Sequence, residues 1–156
     1  MQSFVTHHET ETRRLGERLG ALLRAGDVVL LAGDLGAGKS VLARGIARGQ
    51  GVTGAMPSPT FTLMVPYAAA CGTLCHMDLY RLEDAEAYLD SGLDEYVGGE
   101  GVALVEWPER AEGALPERHL RVTLAYGEQA DERVVTLQPC GGFCLAAPLE
   151  AEEDAL

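Results

Sequence analysis

The 156-residue sequence contains no asparagine, a single lysine and a single tryptophan. Its other basic side chains are arginines, and 24 acids against 12 bases give a formal net charge of −12. Proteins that bind nucleic acid directly usually carry the opposite excess, because the phosphate backbone is anionic. The composition therefore argues against direct binding of RNA or DNA by this chain alone.

Long hydrophobic runs are also absent. No apolar stretch approaches the roughly 18–20 residues that a membrane span needs, and the opening MQSFVTHHETETRR lacks the charged-then-apolar order of a secretion signal. We therefore expect a cytoplasmic protein with no membrane partner. With 47% apolar side chains the chain can form one domain around a sizeable core. We place that domain at residues 1–147, followed by an acidic, flexible tail at residues 148–156.

Cysteine is sparse and occurs as two C-x-x-x-C pairs, Cys71 with Cys75 and Cys140 with Cys144. Four thiols at such spacings are compatible with a tetrahedral zinc site. In a reducing compartment, however, free cysteines more often behave as small apolar side chains. We therefore expect free thiols and no structural zinc.

The hydrophobic pattern predicts three helices. Thr6 and Glu9 fit a capping box at the start of a helix over residues 6–23, whose leucines recur at helical spacing. A second helix over residues 39–49 is closed by glycines. A third, amphipathic helix is predicted over residues 82–97.

Strands are predicted between and after these helices. The uninterrupted apolar runs at residues 28–32 and 101–107 are typical of strands buried on both faces. Alternating residues 119–126 and 132–138 predict an antiparallel hairpin near the C-terminus. Further strands are predicted at residues 62–67, 72–80 and 142–147. The order of elements indicates a three-layer α/β domain with a mixed parallel and antiparallel sheet.

The single lysine lies in GDLGAGKS (33–40), which matches the phosphate-binding pattern G-x-x-x-x-G-K-[ST] at every fixed position. A predicted strand enters this loop and a predicted helix leaves it, which indicates a P-loop NTPase-like domain. The glycines let backbone N–H groups point at phosphate oxygens, and the helix N-terminus adds positive potential. Lys39 would reach the β- and γ-phosphates, and the Ser40 hydroxyl would ligate Mg²⁺. A compact ammonium fits inside such a loop, whereas a planar guanidinium does not.

A P-loop needs a second acid for Mg²⁺ or its water, usually at the end of a neighbouring apolar strand. Glu106 follows four apolar residues, and Asp78 lies at a similar strand end that His76 interrupts. The pattern favours Glu106 over Asp78. His76 is either a base or a hydrogen-bonded core residue, and its position inside a strand favours the core.

The segment MPSPTFT (56–62) cannot be helical, because its prolines disfavour the helical region for the residues before them. Its hydroxyls, on Ser58, Thr60 and Thr62, either sense the γ-phosphate and the attacking water or belong to a rigid connector. Trp107 either packs beneath the site or stacks near the nucleotide. The nucleotide itself is expected to be ATP, because guanine-specific P-loop proteins use an N-K-x-D motif that a chain without asparagine cannot supply.

Four motifs, GDLGAGKS, SPTFTL, HMDLYRL and VEWPER, occur in an order and spacing that closely resemble the TsaE family. These are small bacterial P-loop ATPases of tRNA threonylcarbamoyladenosine biosynthesis. The resemblance covers about residues 4–140. It implies that the protein binds ATP and Mg²⁺, hydrolyses ATP slowly alone, and docks onto a heterodimer of TsaD and TsaB. It also implies a role in modifying the adenosine next to the anticodon, with tRNA contacted only through the partners.

The resemblance also assigns roles to individual residues. Ser40 and Glu106 are the magnesium-site residues, Asp78 is a further acid for hydrolysis, and Thr60 lies in the γ-phosphate-sensing loop. The remaining implied nucleotide contacts are the loop residues Gly33, Gly36, Ala37, Gly38, Lys39 and Val41 and, beside the adenine, Glu9 and Thr10. Two departures from the family pattern are Ser40, where threonine is usual, and Phe61, where tyrosine is common.

Two other functions remain open from the sequence. A small P-loop phosphotransferase shares this loop, but such kinases usually carry an arginine-rich lid, and here the arginines are scattered. A nucleotide-dependent scaffold without required turnover is the second alternative. Replacing Glu106 with Gln separates the scaffold from the ATPase.

Overall fold

The computed structural model describes residues 1–150 and contains one seven-stranded sheet and three α-helices. The strands are β1 (Gln2–Thr6), β2 (Val28–Gly33), β3 (Met64–Ala69), β4 (Gly72–Asp78), β5 (Val102–Glu106), β6 (His119–Tyr126) and β7 (Arg133–Cys140). The helices are α1 (Glu9–Ala21), α2 (Lys39–Gly49) and α3 (Ala85–Ser91), with 3-10 turns at Leu93–Tyr96 and Pro108–Ala111. No helix within residues 1–150 is long and apolar enough to cross a membrane.

The strand order across the sheet is β1-β7-β6-β2-β5-β4-β3. Strands β6, β2, β5 and β4 are parallel neighbours, whereas β1, β7 and β3 pair antiparallel at the two sides. This confirms the predicted mixed α/β sheet and the predicted β6–β7 hairpin. The runs predicted at residues 28–32 and 101–107 become β2 and β5 in the centre, where both faces are covered.

Two hydrophobic cores lie on opposite faces of the sheet, which gives the predicted three layers. Alternate residues of β2 separate into them: Val29 and Leu31 pack in the first core, under α1 and α2, while Val28 and Leu30 pack in the second, with α3 and the 3-10 turns. The site described below lies where the strands of this sandwich end.

Helices α1 and α2 approach so closely that glycine is required at their contact. A Cβ on Gly20 would lie 2.1 Å from the carbonyl oxygen of Ile46, and one on Gly45 would lie 2.2 Å from that of Arg13. Backbone atoms cannot move aside as a flexible side chain can. The small residues therefore fix α1, and the residues before it, against the helix that follows the glycine-rich loop.

The N-terminal prediction was partly wrong. Residues 2–6 form strand β1, which was not predicted, and α1 begins at Glu9 rather than Thr6. The helix is capped by His8, whose Nδ1 accepts a hydrogen bond from the Thr10 amide at 3.1 Å. Thr6 instead contacts the Thr12 hydroxyl at 2.7 Å. The reason is tertiary, because Thr6 is held in the sheet by pairing with β7.

The predicted helix over residues 82–97 is shorter than the pattern indicated. Asp84 caps α3 by accepting a hydrogen bond from the Ala87 amide at 2.9 Å. Gly92 then adopts a left-handed conformation with φ of 81°, which ends the helix before a 3-10 turn.

The strand predicted at residues 142–147 is absent from the structure. Phe143 instead packs into the first core, as does Leu149, whose carbonyl accepts a hydrogen bond from Gln2 Nε2 at 3.3 Å. Of the predicted tail at residues 148–156, residues 151–156 lie outside the described part of the chain. The four cysteines are free thiols.

Candidate functional site

The glycine-rich loop connects the end of β2 to the start of α2 at the carboxyl edge of the parallel strands. Gly36 and Gly38 have φ values of 81° and 103°, a region that glycine alone enters freely. The Ala37 amide donates to the Asp34 carbonyl at 3.0 Å, which closes the turn. The loop therefore curls over the N-terminus of α2, where unpaired N–H groups favour an anion.

The β6–β7 hairpin supports this loop from the side. The Tyr126 hydroxyl donates to the Leu35 carbonyl at 2.9 Å. A Cβ on Gly36 would lie 2.9 Å from the same hydroxyl oxygen. The Arg133 guanidinium lies over the Tyr126 ring, 4.5 Å from its centroid. The hairpin therefore holds the loop in place as well as extending the sheet.

Lys39 begins α2 and is buried beneath the loop. Its ammonium donates to the carbonyl oxygens of Gly33 and Asp34, the latter at 3.2 Å. The same nitrogen lies 3.6 Å from the centroid of the Trp107 ring. Burial lowers the pKa of Lys39, and nearby carboxylates, with Glu106 foremost, oppose that shift.

The half-buried Ser40 and the buried Glu106 and His76 form a polar group beside Lys39. The Ser40 hydroxyl donates to both Glu106 carboxylate oxygens, at 3.1 and 3.2 Å. His76 Nε2 lies 2.5 Å from Glu106 Oε2. Because a carboxylate only accepts hydrogen bonds, the imidazole nitrogen is the donor. The structure thus brings together the two residues expected at the magnesium site and adds a histidine to them.

His76 was expected to be a base or, as favoured, a hydrogen-bonded core residue, and the structure shows it buried and hydrogen-bonded to Glu106. It lies two positions before Asp78 in β4, and side chains two apart share one face of a strand. Asp78 pairs in register with Glu106 on the neighbouring β5. That spacing is the signal by which the sequence could have placed His76 among the acids.

Asp78 ends β4 and contacts the proline-containing loop. Thr60 Oγ1 donates to Asp78 Oδ2 at 3.1 Å, and the Tyr80 amide donates to Oδ1 at 2.9 Å. The Ser58 and Thr60 hydroxyls are 2.8 Å apart. Residues 56–62 contain no helix, as predicted. The Thr60 hydroxyl therefore contacts an acid of the site directly, and the Ser58 hydroxyl is linked to that acid through Thr60.

Trp107 follows Glu106 directly and lies between the second core and the site. It has left-handed backbone geometry, with φ of 57°. Its ring packs against Tyr80, with centroids 4.9 Å apart, and against the second core. The sequence left open whether this residue packs beneath the site or stacks near the nucleotide, and the structure shows its packing.

A small cleft of about 120 Å³ opens on the other side of the glycine-rich loop. Its walls come from α1, the loop, α2 and the β6–β7 hairpin, through Glu9, Thr12, Gly36, Gly38, Val41, Asp131 and Arg133. Glu9 and Val41 were predicted nucleotide contacts. Thr10, also predicted beside the adenine, has its hydroxyl 3.2 Å from His8 Nδ1. The hairpin residues were not predicted, because only the fold brings them to this cleft.

Among the described residues, the site offers hard oxygen donors but no dense cluster of metal-binding side chains. Within residues 1–150, no three His, Cys, Asp or Glu side chains converge as a ready-made metal centre. Magnesium does not require one, since it is commonly held by one or two carboxylates together with phosphate oxygens and water. The Ser40 hydroxyl and the Glu106 carboxylate have that chemistry.

Comparisons with known proteins identify relatives of this chain. The family model described as "Threonylcarbamoyl adenosine biosynthesis protein TsaE" matches residues 6–135. The TsaE protein of Bacillus subtilis is 41% identical over 136 residues, which cover 87% of this chain and 84% of that protein. The TsaE protein of Streptomyces coelicolor is 44% identical, with 83% and 90% covered.

A solved structure is also similar. The crystal structure of Bacillus subtilis YdiB superposes with a TM-score of 0.76 at 35% sequence identity, covering 90% of this chain and 86% of that one. The family match spans most of the chain and includes all four motifs on which the resemblance was based. The chain belongs to the TsaE family.

Proposed function

We propose that this protein is a Mg²⁺-dependent ATPase that acts with TsaB and TsaD in threonylcarbamoyl modification of tRNA. The observation that carries the proposal is the Ser40–Glu106 contact of 3.1 Å directly beside Lys39, at the start of α2. It supports the proposal because the Ser40 hydroxyl and the Glu106 carboxylate would ligate magnesium, and the neighbouring Lys39 ammonium would bind phosphate. Membership in the TsaE family supplies the pathway.

The glycine-rich loop would hold the nucleotide phosphates. Backbone N–H groups of residues 36–41 and the positive end of α2 supply donors and potential, and Lys39 supplies a charge for the β- and γ-phosphates. The adjoining cleft, bordered by Glu9 and Val41, is the proposed place of the adenine. The absence of asparagine excludes the usual guanine-reading motif.

Ser40 and Glu106 would hold the magnesium ion, whose chemistry is to neutralise charge on the phosphates. His76 fixes the orientation of Glu106 through its hydrogen bond. Asp78 is the candidate for orienting the attacking water, and Thr60 holds that carboxylate by donating to it. These are roles for the chain's own side chains, which are already in contact.

The acidic charge fits a protein that works on tRNA through partners. A net charge of −12 opposes association with an anionic backbone. We therefore propose that TsaD and TsaB hold the tRNA and that this chain contributes nucleotide turnover. Its ATPase activity is expected to be weak alone and to rise in the complex.

The proposal is tested by reconstituting tRNA modification with purified TsaB and TsaD. The native chain should hydrolyse ATP only with Mg²⁺, faster with the partners, and should sustain repeated rounds of modification. Glu106→Gln should bind ATP but fail to sustain those rounds. Full modification by Glu106→Gln would contradict the ATPase role and favour a nucleotide-dependent scaffold. A turnover rate that the partners leave unchanged would contradict the partnership.

A further inference from the structure

Lys39 is surrounded by acids yet pairs with none of them. The carboxylates of Glu106, Glu109, Asp78 and Asp34 all act on it electrostatically. Within residues 1–150, however, no carboxylate lies within ion-pair distance of its ammonium. Its contacts are main-chain carbonyl groups and the face of an indole ring.

The ring is held in place by its surroundings. Trp107 has a left-handed φ of 57°, which is unfavourable for a bulky side chain, and Pro108 follows it. Such a conformation persists only where neighbouring packing determines it. Tyr80 supports the ring with a centroid distance of 4.9 Å, and the second core packs against it as well. The left-handed backbone therefore places the ring where it packs against the second core and also faces Lys39.

An indole face attracts a cation without presenting a competing anion. The ring quadrupole stabilises the ammonium in a site where burial alone disfavours its charge. A carboxylate partner would also stabilise it, but would itself be neutralised. Without the ring, the flexible lysine would be free to pair with Glu106 or Asp78, and both the phosphate contact and the metal ligand would be weakened.

We propose that Trp107 is a positioning residue for Lys39, whose ring holds the ammonium inside the phosphate-binding loop and away from the acids of the metal site. This inference rests on the proposed nucleotide-binding role of the loop. It adds a specific role to a residue that the sequence assigned either to packing or to nucleotide stacking.

The test uses the fact that Trp107 is the only tryptophan. Protein produced with tryptophan carrying one, two or three ring fluorines is altered at this residue alone, with its shape nearly unchanged. Ring fluorines withdraw electrons and weaken cation–π attraction, so affinity for MgATP should fall stepwise with their number. At the highest fluorination we expect binding about five- to thirtyfold weaker. Trp107→Phe should retain more affinity than Trp107→Leu.

The fluorine resonance supplies a second readout that needs no nucleotide. In the nucleotide-free protein, Lys39→Met should shift the resonance of fluorinated Trp107, because the cation over the ring is removed. If the native protein binds MgATP and fluorination does not change its affinity, the positioning role is wrong and the proposed function stands. If the native protein does not bind MgATP but Lys39→Met shifts the resonance, the Lys39–Trp107 contact stands and the proposed function fails. An unshifted resonance overturns the contact itself.

Discussion

His76 and Glu106 share a buried hydrogen bond, with Nε2 and Oε2 2.5 Å apart and both side chains almost fully removed from solvent. The bond joins strand β4 to strand β5 at the edge where the glycine-rich loop lies. It leaves Glu106 facing Ser40 in a fixed orientation. The acid proposed for the magnesium site is therefore positioned by a residue of the neighbouring strand.

Removal of the imidazole should weaken the response to magnesium. We expect His76→Leu to raise the Mg²⁺ concentration needed for half-maximal ATP hydrolysis about 10- to 100-fold, because Glu106 loses its orienting donor. His76→Gln, which can still donate, should be less impaired. His119→Gln is the matched control, since that imidazole contacts the Pro116 carbonyl away from the loop. An unchanged magnesium requirement in His76→Leu would remove the orienting role.

The loop threonine should act on turnover rather than on binding. Thr60→Val removes the donor to Asp78 while keeping a similar shape, so we expect kcat to fall about tenfold with KM for ATP little changed. Thr60→Ser should retain most activity. Thr62→Val is the control in the same loop, where the side chain is exposed. Equal losses in the Thr60 and Thr62 variants would show that only loop shape matters.

The contact between α1 and α2 should tolerate no side chain at Gly45. A Cβ there would lie 2.2 Å from the Arg13 carbonyl oxygen, so Gly45→Ala should lower the free energy of unfolding by about 3 kcal/mol. Gly99→Ala is the control, because its Cβ would be 3.9 Å from the nearest atom. Urea denaturation measures both. A Gly45→Ala protein as stable as the control would contradict the close approach of the helices.

The buried phenol of Tyr88 should lower the free energy of unfolding at high pH. Its hydroxyl has no hydrogen-bond partner among the described residues, and burial, assisted by the Asp94 carboxylate, raises its pKa from 10.0 to about 12. Between these values the unfolded chain loses the proton while the folded protein keeps it. Stability therefore falls across this range, and the loss levels off above the folded pKa.

Tyr88→Phe removes this titration together with the unsatisfied hydroxyl. We expect the variant to be as stable as the native protein at neutral pH, or more stable by about 1 kcal/mol. The difference in free energy of unfolding between Tyr88→Phe and the native protein should then grow by about 2 kcal/mol between pH 10 and 12. Denaturation of both proteins across that range measures the difference. A constant difference would show that the phenol titrates normally in the folded state.

Sequence reasoning worked best where structure is local. The loop around Lys39 and the apolar runs of β2 and β5 carry their signals within a few residues. Strand β1 was missed because it is stabilised by β7, from the far end of the chain. The capping box at Thr6 failed for the same reason, since sheet pairing overrides a local preference.

Contacts within the site depend on register, which the sequence did not provide. Glu106 and Asp78 were both identified as strand-end acids, but the pattern could not show that they are paired across neighbouring strands. The cleft residues Asp131 and Arg133 lie in a hairpin whose position beside the loop is set by packing. Trp107 carried no sequence signal for its contact with Lys39, because a left-handed backbone directs its ring there.

The strands that carry the proposed acids also carry the first core on the same face. Leu74 precedes His76 and Asp78 on β4, and Leu104 precedes Glu106 on β5, each at two-residue spacing. The apolar core residues and the acids therefore lie on the same face of the sheet. Stability and turnover are consequently coupled through β5. A substitution that shifts Leu104 to improve packing would also move the Glu106 carboxylate, two residues along the same face of the strand.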